Sequence, residues 1–300
     1  MVCARPRSGP GDAVSRRIPG WLSGAVVCGA LLALVMAEAR RPLRREMEPK
    51  LRRDLRNLGV AALSAATLRM LEKPVVEPLS RMVERRRFGL LQWARPPPWL
   101  EVPLAAALMD YTLYVWHVLT HRVPILWRLH AVHHADLDLS ASTALRFHFM
   151  EMAVSVPWRA AQVALLGIGP RALSTWQDFL FASILFHHSN LRLPLRLERR
   201  MVRFIVTPRM HGIHHSILEE EANSNWSSGL TIWDRLHGTL RLDVPQDRII
   251  IGLAARRKPA EVTLPRILAM PFRRQSPRLL LSGAHVRVKP DAGRKHEMMF

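Results

Sequence analysis

Apolar residues along this chain are gathered into blocks that are separated by shorter, arginine-rich segments. The clearest block is residues 21–37, which hold seventeen residues without a charge and are just long enough to span a bilayer. Further blocks, each with one to three polar interruptions, cover residues 100–121, 152–170 and 172–188. Four or five long apolar segments are more than the core of one soluble domain usually contains. The pattern therefore predicts an all-α integral membrane helical bundle, with a set of buried helices in a soluble enzyme as the alternative.

Two stretches of this pattern leave the topology open. Residues 57–71 are a weaker block, too short and interrupted by Arg69, so residues 57–83 are expected to form either one span or a re-entrant hairpin. The sequence GIGPR at 167–171 is typical of a turn between two helices. Two crossings on either side of that turn would return the chain to the side of the membrane from which it started.

The chain divides into three expected regions. Residues 1–98 would hold the N-terminal membrane anchor and the possible hairpin, residues 99–242 the central domain with the histidine motifs, and residues 243–300 a basic tail. The anchor resembles a signal peptide, because two arginines precede the first block and the sequence Ala37-Glu38-Ala39 stands at its end. We expect an uncleaved anchor. The tail from residue 252 onward is expected to be disordered, or else to lie on the membrane surface.

Charge and cysteine usage narrow the class of protein. Forty-four lysine and arginine residues against 24 aspartate and glutamate residues give a net charge of +20. No recognisable nucleic-acid motif accompanies this charge, so anionic lipid headgroups are the expected counter-charge. The loop at 189–210 carries six arginines against one glutamate, which places it in the cytoplasm by the positive-inside rule. The only two cysteines, Cys3 and Cys28, exclude a disulfide framework and a thiolate metal site.

Histidines are concentrated in four short clusters. The spacing H-x-x-H-H occurs twice, at 130–134 and at 211–215. Residues at i and i+4 lie on one face of a helix, so each motif turns its imidazoles to roughly one side. The predicted topology opens all four clusters on the same membrane face. The histidines within or beside the clusters are His117, His121, His130, His133, His134, His148, His187, His188, His211, His214 and His215.

This many imidazoles indicate a metal centre. Neutral imidazole suits zinc, iron, copper and nickel, and a tetrahedral zinc site needs only four ligands. At least eight histidines stand at metal-ligand spacings, which is enough for two metals. The chain lacks the Glu-x-x-His pairs of soluble di-iron bundles and the H-E-x-x-H signature of zinc proteases. With these two classes of metal site excluded, the sequence favours a histidine-rich dinuclear site at a membrane surface.

The ordered motifs resemble those of the fatty acid hydroxylase/sterol desaturase superfamily. They are H-x-x-x-H, H-x-x-H-H, F-H-H-x-N, T-P-x-M-H-x-x-H-H-S and N-S-N-W followed by W-D-R-L-x-G-T, spread over roughly residues 100–242. The resemblance implies an integral-membrane oxygenase with two iron ions (Fe2+/Fe3+) and a histidine-rich di-metal cap facing the cytoplasm. It implies as metal ligands His117, His121, His130, His133, His134, His211, His214 and His215.

The chain departs from the pattern of the resembled superfamily in the middle of the site. Ser183 stands where members with H-x-x-x-H-H have their first histidine. His187 aligns best as a ligand, and His188 aligns either as a ligand or as a donor to one. His148 is a candidate for the missing imidazole. If neither His148 nor His188 fills the gap, one metal keeps an open position or the site is impaired.

Four polar residues are candidates for positioning the ligands. Asp110 lies inside an apolar block, where an ionisable residue is expensive and usually functional. It shares a helix face with His117, so its carboxylate could orient a ligand histidine, or it could be a helix-packing residue. Asn190, Asn225 and Asp234 are weaker candidates of the same kind.

The remaining aromatic and histidine residues are expected to lie outside the site. Trp226 and Trp233 are expected to pack at headgroup level. His237 stands where the resembled superfamily usually has an apolar aromatic residue, and it is expected to support a ligand or to be a bystander. His285 and His296 lie in the tail and are expected to be bystanders.

The resemblance implies an enzyme that hydroxylates or desaturates a C–H bond of a lipid, such as a sterol, a fatty acyl chain or an ether lipid. No flavin or nicotinamide fingerprint occurs, so electrons are expected from a separate protein such as a ferredoxin or a cytochrome b5-like protein. Two alternatives stay open: a non-catalytic membrane protein that binds or transports a metal, and a degenerate family member.

Overall fold

The described part of the molecule is all-helical. The computed structural model describes residue 29, residues 32–274 and residues 280–281. Within these residues only isolated β-bridges and no strands occur, which confirms the predicted all-α fold. The α-helices are α1 (32–40), α2 (Lys50–Thr67), α3 (Lys73–Arg86), α4 (Leu90–Ala94), α5 (Pro98–Arg122), α6 (Pro124–His134), α7 (Phe149–Leu166), α8 (Pro170–His188), α9 (Leu195–Met201), α10 (Pro208–His214), α11 (Glu219–Ala222), α12 (Ile232–Leu236) and α13 (Leu264–Ala269). Short 3-10 turns cover Ala141–Leu145, Pro259–Glu261 and Met270–Phe272.

Helix α5 is the centre of the bundle. It packs against α6, α7 and α8, while α3 packs against α7. Both α5 and α8 carry histidines near their C-terminal ends, so these residues meet at one end of the bundle. Apolar packing fills the other end, where Met109 of α5 and Trp176 of α8 are buried together with Val83 of α3.

Among the described helices, α5 alone is both long and apolar enough to cross a bilayer. Of its most apolar window, 28% is buried inside the molecule, and most of the other residues there are partly buried. Helices α7 and α8 correspond to two further predicted blocks and are 18 and 19 residues long. The predicted block at 21–37 lies largely outside the described residues, although residues 32–40 are helical.

Residues 50–86 form one continuous helical rod rather than a hairpin. A π-helical segment, Leu68–Glu72, joins α2 to α3, and the backbone stays right-handed helical through both junctions. One residue, Lys73, separates the π segment from Pro74, whose missing N–H would interrupt an ordinary α-helical ladder. The wider turn accommodates the proline without ending the helix, so residues 57–83 contain no hairpin.

The turn between α7 and α8 is where the sequence predicts it. Gly167 ends α7 with φ of 76°, in the left-handed region that favours glycine. Gly89 approaches it closely: a Cβ on Gly89 would lie 2.5 Å from the Gly167 nitrogen. Two glycines are therefore required where the α3–α4 connection crosses the α7–α8 turn.

Part of the C-terminal region is folded against the histidine-bearing helix α6. Leu253 and Met270 are buried in one apolar cluster with Val132 of α6. The expected disorder therefore does not extend over residues 252–274, because the apolar residues within that basic stretch cover the back of α6. Most of the tail beyond residue 274 lies outside the described residues.

Candidate metal centre

Nine histidines converge into two adjacent clusters at the histidine-bearing end of the bundle. In each cluster the candidate ligand nitrogens all lie within 4.8 Å of one another. Every member is buried except His121, which is partly buried. The first cluster consists of His117, His121, His130, His134 and His214. The second cluster consists of His133, His188, His211 and His215.

The two H-x-x-H-H motifs are shared between the clusters in a reciprocal way. In α6 the i, i+4 pair His130 and His134 enters the first cluster, while His133 enters the second. Around α10 the i, i+4 pair His211 and His215 enters the second cluster, while His214 enters the first. Residues at i and i+4 share a helix face, and the residue between them projects to one side of it. Each motif therefore contributes ligands to both clusters.

Nitrogen separations in the second cluster match those around a metal ion. The Nε2 atom of His188 lies 3.0 Å from Nε2 of His133 and 3.0 Å from Nε2 of His211. The Nε2 atoms of His211 and His215 are 3.1 Å apart. Metal–nitrogen bonds of about 2.0–2.1 Å place two imidazole nitrogens about 3 Å apart when they bind one ion at right angles. The four residues therefore fit a single ion.

The first cluster contains ring nitrogens that the protein alone leaves unsatisfied. The Nε2 atoms of His117, His121, His130 and His214, and both ring nitrogens of His134, are buried without a hydrogen-bond partner. Burying a polar atom without a partner is unfavourable, and a metal ion would satisfy these lone pairs. Five such imidazoles in one cluster fit a second ion.

Burial favours the neutral form of His134, His214 and His215, which is the form that binds metal. Burial, and then the neighbouring imidazoles, lower the pKa of His134 and His215 well below the usual value. Burial lowers the pKa of His214 to about 3, against the opposing effect of its hydrogen bond to Ser224.

Four histidines are oriented through their second ring nitrogen. The Nδ1–H of His117 donates to the Trp226 carbonyl at 2.7 Å, and that of His214 donates to the Ser224 carbonyl at 2.8 Å. The Nδ1–H of His188 donates to the Ile184 carbonyl at 2.7 Å. With the proton fixed on Nδ1, the Nε2 lone pair of each ring points to its cluster.

The fourth oriented histidine is bound by an acid. The Nδ1–H of His130 donates to Glu151 Oε1 at 2.8 Å, and both side chains are buried. A carboxylate on this nitrogen fixes the tautomer and makes the ring a stronger ligand. Sequence analysis missed Glu151, which stands 21 positions from its partner. The sequence feature that could have identified Glu151 is its position as an acidic residue at the edge of the apolar block 152–170. Asp110 was selected on the same ground, as an acidic residue within an apolar block.

Asp234 and Asn225 hold the loop whose carbonyls bind the histidines. The Asp234 carboxylate accepts the N–H groups of Trp226 and Ser227 at 2.9 and 3.0 Å. Asn225 donates to the Met210 carbonyl of α10 at 3.0 Å and adopts a left-handed backbone with φ of 54°. Asp234 and Asn225 therefore act on the histidines indirectly. They fix the loop whose Trp226 carbonyl binds His117 and whose Ser224 carbonyl binds His214.

Asp110 holds the same loop and does not bond a histidine. Its Oδ2 accepts the Leu230 N–H at 2.9 Å and the Trp233 indole N–H at 2.7 Å. The carboxylate therefore ties α5 to α12, and its influence on His117 runs through the loop.

Asn190 joins the end of α8 to the segment that precedes α2. Its side chain exchanges two hydrogen bonds with the backbone of Arg44, at 2.8 and 3.0 Å. The Asn190 N–H donates to the buried Glu38 carboxylate at 3.0 Å, and the Ala141 N–H donates to the same oxygen at 3.2 Å. These contacts cross the expected boundary at residue 98.

The middle of the site differs from expectation. His148 lies outside both clusters: its Nδ1 accepts the Met150 N–H at 3.2 Å, and its Nε2–H donates to the Leu268 carbonyl at 3.2 Å. Ser183 donates to the Ser228 carbonyl at 2.7 Å, and both clusters assemble without a histidine at that position. His187 lies beside the second cluster, with its ring centroid 4.1 Å from that of His211.

Some of the residues expected to lie outside the site are in fact part of its surroundings, and others lie apart from it. Trp226 is 3% exposed, and so it is an internal residue rather than a headgroup anchor. The Trp233 indole is bound to Asp110. His237 stacks on Tyr114 at 5.0 Å, outside both clusters. The two tail histidines lie outside the described residues.

A buried ionic network behind α6 was also missed by sequence analysis. Asp136 accepts from Arg56 at 2.9 Å, from Asn57 at 2.8 Å and from Arg146 at 3.3 Å. The neighbouring arginines lower the pKa of Asp136 despite its complete burial. Bonded members of the network, such as Asn57 and Arg146, stand up to 89 positions apart, so no local sequence pattern predicts it. The network fixes the loop that follows His134.

Comparison with known proteins finds one matching family model and several similar proteins. Residues 102–239 match the family model described as fatty acid hydroxylase. The chain is 33% identical over 188 residues to ornithine lipid hydroxylase OlsE of Rhizobium tropici, a match that covers 61% of this chain and 53% of that protein. It is 28% identical over 173 residues to human alkylglycerol monooxygenase, covering 57% and 36%. It is 31% identical over 170 residues to human cholesterol 25-hydroxylase, covering 51% and 60%. The chain thus spans less than two thirds of each of these relatives, and no solved structure matches it.

Proposed function

Because residues 102–239 match the fatty acid hydroxylase family model, we propose that the protein is a membrane-bound oxygenase that hydroxylates a C–H bond of a lipid. The balanced reaction consumes O2, two electrons and two protons, and it gives the lipid alcohol and water. The observation that carries the proposal is the pair of adjacent, buried histidine clusters.

Two iron ions are the proposed cofactors. The five histidines of the first cluster would hold one ion and the four of the second cluster the other. When bound, iron supplies the activation of O2 and the oxidation of an unactivated carbon. Support comes from the donor set, since neutral imidazoles without thiolates suit iron. His187 is proposed to support the second ion from beside its cluster.

The protein's own residues would orient the ligands and exclude water. Glu151, and the loop carbonyls that Asp234 and Asn225 position, would hold the imidazoles with Nε2 turned inward. Several of these rings have no exposed surface, His134 and His215 among them. A water-excluded site protects a strong oxidant from side reactions.

A lipid substrate is supported by the names of the relatives, which are an ornithine lipid hydroxylase, an alkylglycerol monooxygenase and a cholesterol 25-hydroxylase. Membrane embedding is supported by α5 and by large apolar side chains exposed along the bundle. Met70 is 72% exposed, Trp93 is 65% exposed and Trp99 is 76% exposed. An exposed apolar surface of this kind is typical of a membrane-contacting protein. We place the histidine-bearing end in the cytoplasm because the arginines of residues 189–210 lie there.

Electrons are proposed to come from a separate acidic protein such as a ferredoxin or a cytochrome b5-like protein. Arg196, Arg200 and Arg203 are exposed on and after α9, at the histidine-bearing end. A basic surface at this end would steer an acidic donor toward the metals.

Hydroxylation is preferred to desaturation because these relatives are named as two hydroxylases and a monooxygenase. The test is a Mössbauer spectrum with metal stoichiometry on detergent-purified protein containing iron-57, followed by a search for lipid products labelled from 18O2. Two coupled irons per chain and one 18O atom in a lipid alcohol are expected. Two irons with no labelled lipid would favour a degenerate member, and failure to bind iron would favour a non-catalytic role with another metal.

A further inference from the structure

A large cavity lies beside the second histidine cluster and outside the metal centre. It has a volume of about 850 Å³ and opens between the end of α1, the segment leading to α2 and the loop after α8. Its lining includes Arg41, Arg44, Arg45, Lys50, Arg192 and Arg209, with Glu38 and Glu46 as the only acids. Its charge is therefore strongly positive.

Both acids of the cavity are already neutralised. Glu38 binds Lys50 and two backbone N–H groups, and Glu46 binds Arg53 at 3.2 Å. Arg209 is in turn paired with Glu198 at 2.8 Å, outside the lining.

Four arginines of the lining have no carboxylate within ion-pair distance among the described residues. They are Arg41, Arg44, Arg45 and Arg192. Four cations without counter-charges around one cavity would attract an anion.

The guanidinium of Arg44 is held in place by hydrogen bonds within the protein. Its Nη2 donates to the Pro208 carbonyl at 3.0 Å and to the Gln246 side chain. Its Nε and Nη1 atoms are buried and have no acceptor. Room for the guanidinium exists because residue 212 is glycine: a Cβ there would lie 1.7 Å from Nη2. A buried guanidinium with unused donors lacks an anionic partner.

The position of the cavity suits a lipid headgroup. Arg192 follows the last residue of α8 by four positions, so the cavity lies where the long helices give way to the polar cap. Leu193 and Leu195 line it, and the neighbouring Leu197 is 46% exposed.

A second cavity adjoins the first and is mainly apolar. It has a volume of about 430 Å³, it shares Arg44 and Arg45 with the first cavity, and it is lined by residues such as Leu137, Ile217 and Ile249. A basic cavity joined to an apolar one favours an amphipathic ligand over a free ion.

We propose that this cavity binds the phosphate group of an anionic phospholipid. Arginine guanidinium groups match phosphate oxygens in a bidentate manner. A free phosphate ion shares this chemistry, and the two sources are distinguished by experiment. The site is independent of catalysis, so its test does not depend on the oxygenase activity.

The test is native mass spectrometry of the full chain, iron-loaded, in a neutral detergent. Short-chain phosphatidylglycerol, short-chain phosphatidylcholine and inorganic phosphate are titrated separately. We expect the anionic lipid to bind about tenfold more tightly than the zwitterionic one, because only its headgroup carries a net negative charge. The triple variant Arg41→Gln, Arg45→Gln, Arg192→Gln should weaken binding of the anionic lipid by about tenfold or more.

The matched control is Arg196→Gln, Arg200→Gln, Arg203→Gln, which removes the same charge from the same end without touching the lining. It should retain binding within about threefold. Equal losses in the two variants would overturn the proposal in favour of general surface charge. Tighter binding of inorganic phosphate than of the lipid would overturn the assignment to a lipid. Iron content reports whether each variant folds, and if the triple variant does not, equal binding of both lipids by the unmodified protein still overturns the proposal.

Discussion

The imidazole rings of His134 and His215 stack with their centroids 4.4 Å apart and an interplanar angle of 18°. The two rings belong to different clusters, and each stands at the last position of its H-x-x-H-H motif. This contact is one of several through which the two clusters meet, and it places the two proposed ions next to each other in one buried volume.

Removing one ligand should empty one cluster and spare the other, since the clusters share no residue. We expect His121→Ala and His188→Ala each to lower bound iron from about two ions to about one per chain at saturating iron. Elemental analysis of purified protein measures this. His237→Ala is the control and should keep both ions. Loss of both ions from either single variant would show that the clusters do not bind separately.

Glu151→Ala should weaken the first cluster without removing a ligand. Removing a carboxylate that binds the free nitrogen of a ligand histidine typically lowers metal affinity by about 10–100-fold. Iron competition with a chelator measures the change. Glu151→Gln keeps an acceptor for the His130 N–H and should lose less. An unchanged affinity in Glu151→Ala would mean that the ring is fixed by packing alone.

Asp234→Ala should loosen the loop that binds His117. It removes the acceptor of two buried backbone N–H groups, at a cost of about 1–3 kcal/mol for each group left unsatisfied. The melting temperature of the purified protein should fall, and iron should be lost earlier on heating. Asp243→Ala is the control, because Asp243 forms an exposed ion pair with Arg241. Equal stability of the two variants would contradict this role.

Asp136→Asn should destabilise the fold more than any exposed charge change. It leaves the buried Arg146 without its ion-pair partner, while Arg56 keeps its pair with Glu48. Removing one partner of a buried ion pair typically costs about 3–5 kcal/mol. Thermal denaturation measures the loss. Glu77→Gln, which breaks exposed pairs with Lys73 and Arg81, should cost less than about 1 kcal/mol. A small effect of Asp136→Asn would mean that water enters the network.

The basic surface after α9 should matter for electron delivery. Arg196→Gln, Arg200→Gln, Arg203→Gln is expected to raise the KM for an acidic donor protein by about tenfold at low ionic strength, with little change in kcat. The difference should shrink as salt is added, because exposed charges are screened. Steady-state kinetics with ferredoxin or cytochrome b5 measures it. A salt-independent effect would indicate a structural fault.

Sequence alone could predict the ligand candidates because their spacing is local. His117 and His121, or His211 and His215, stand one helical turn apart, and any helix brings them to one face. Sequence could not assign them to two clusters. That assignment depends on how α6 meets α10, about eighty residues later.

The parts that sequence missed are non-local or depend on tertiary packing. Glu151 acts on a histidine of another helix, and Asp136 draws its partners from α2 and from the 3-10 turn at Ala141–Leu145. The ordered part of the basic tail was missed for the same reason. The apolar residues of the tail are too sparse to form a core alone. The tail is ordered because these residues pack against α6.

Glu38 has a practical consequence for any shortened form of the protein. A chain that begins after residue 40 would keep every proposed metal ligand. It would still leave the Ala141 and Asn190 N–H groups buried without their acceptor, at about 1–3 kcal/mol each. It would also remove the partner of Lys50. Deleting the first helix to improve expression would therefore weaken the support of α8 where it carries His188, so a truncated protein that fails to hold iron would say nothing against the histidines themselves.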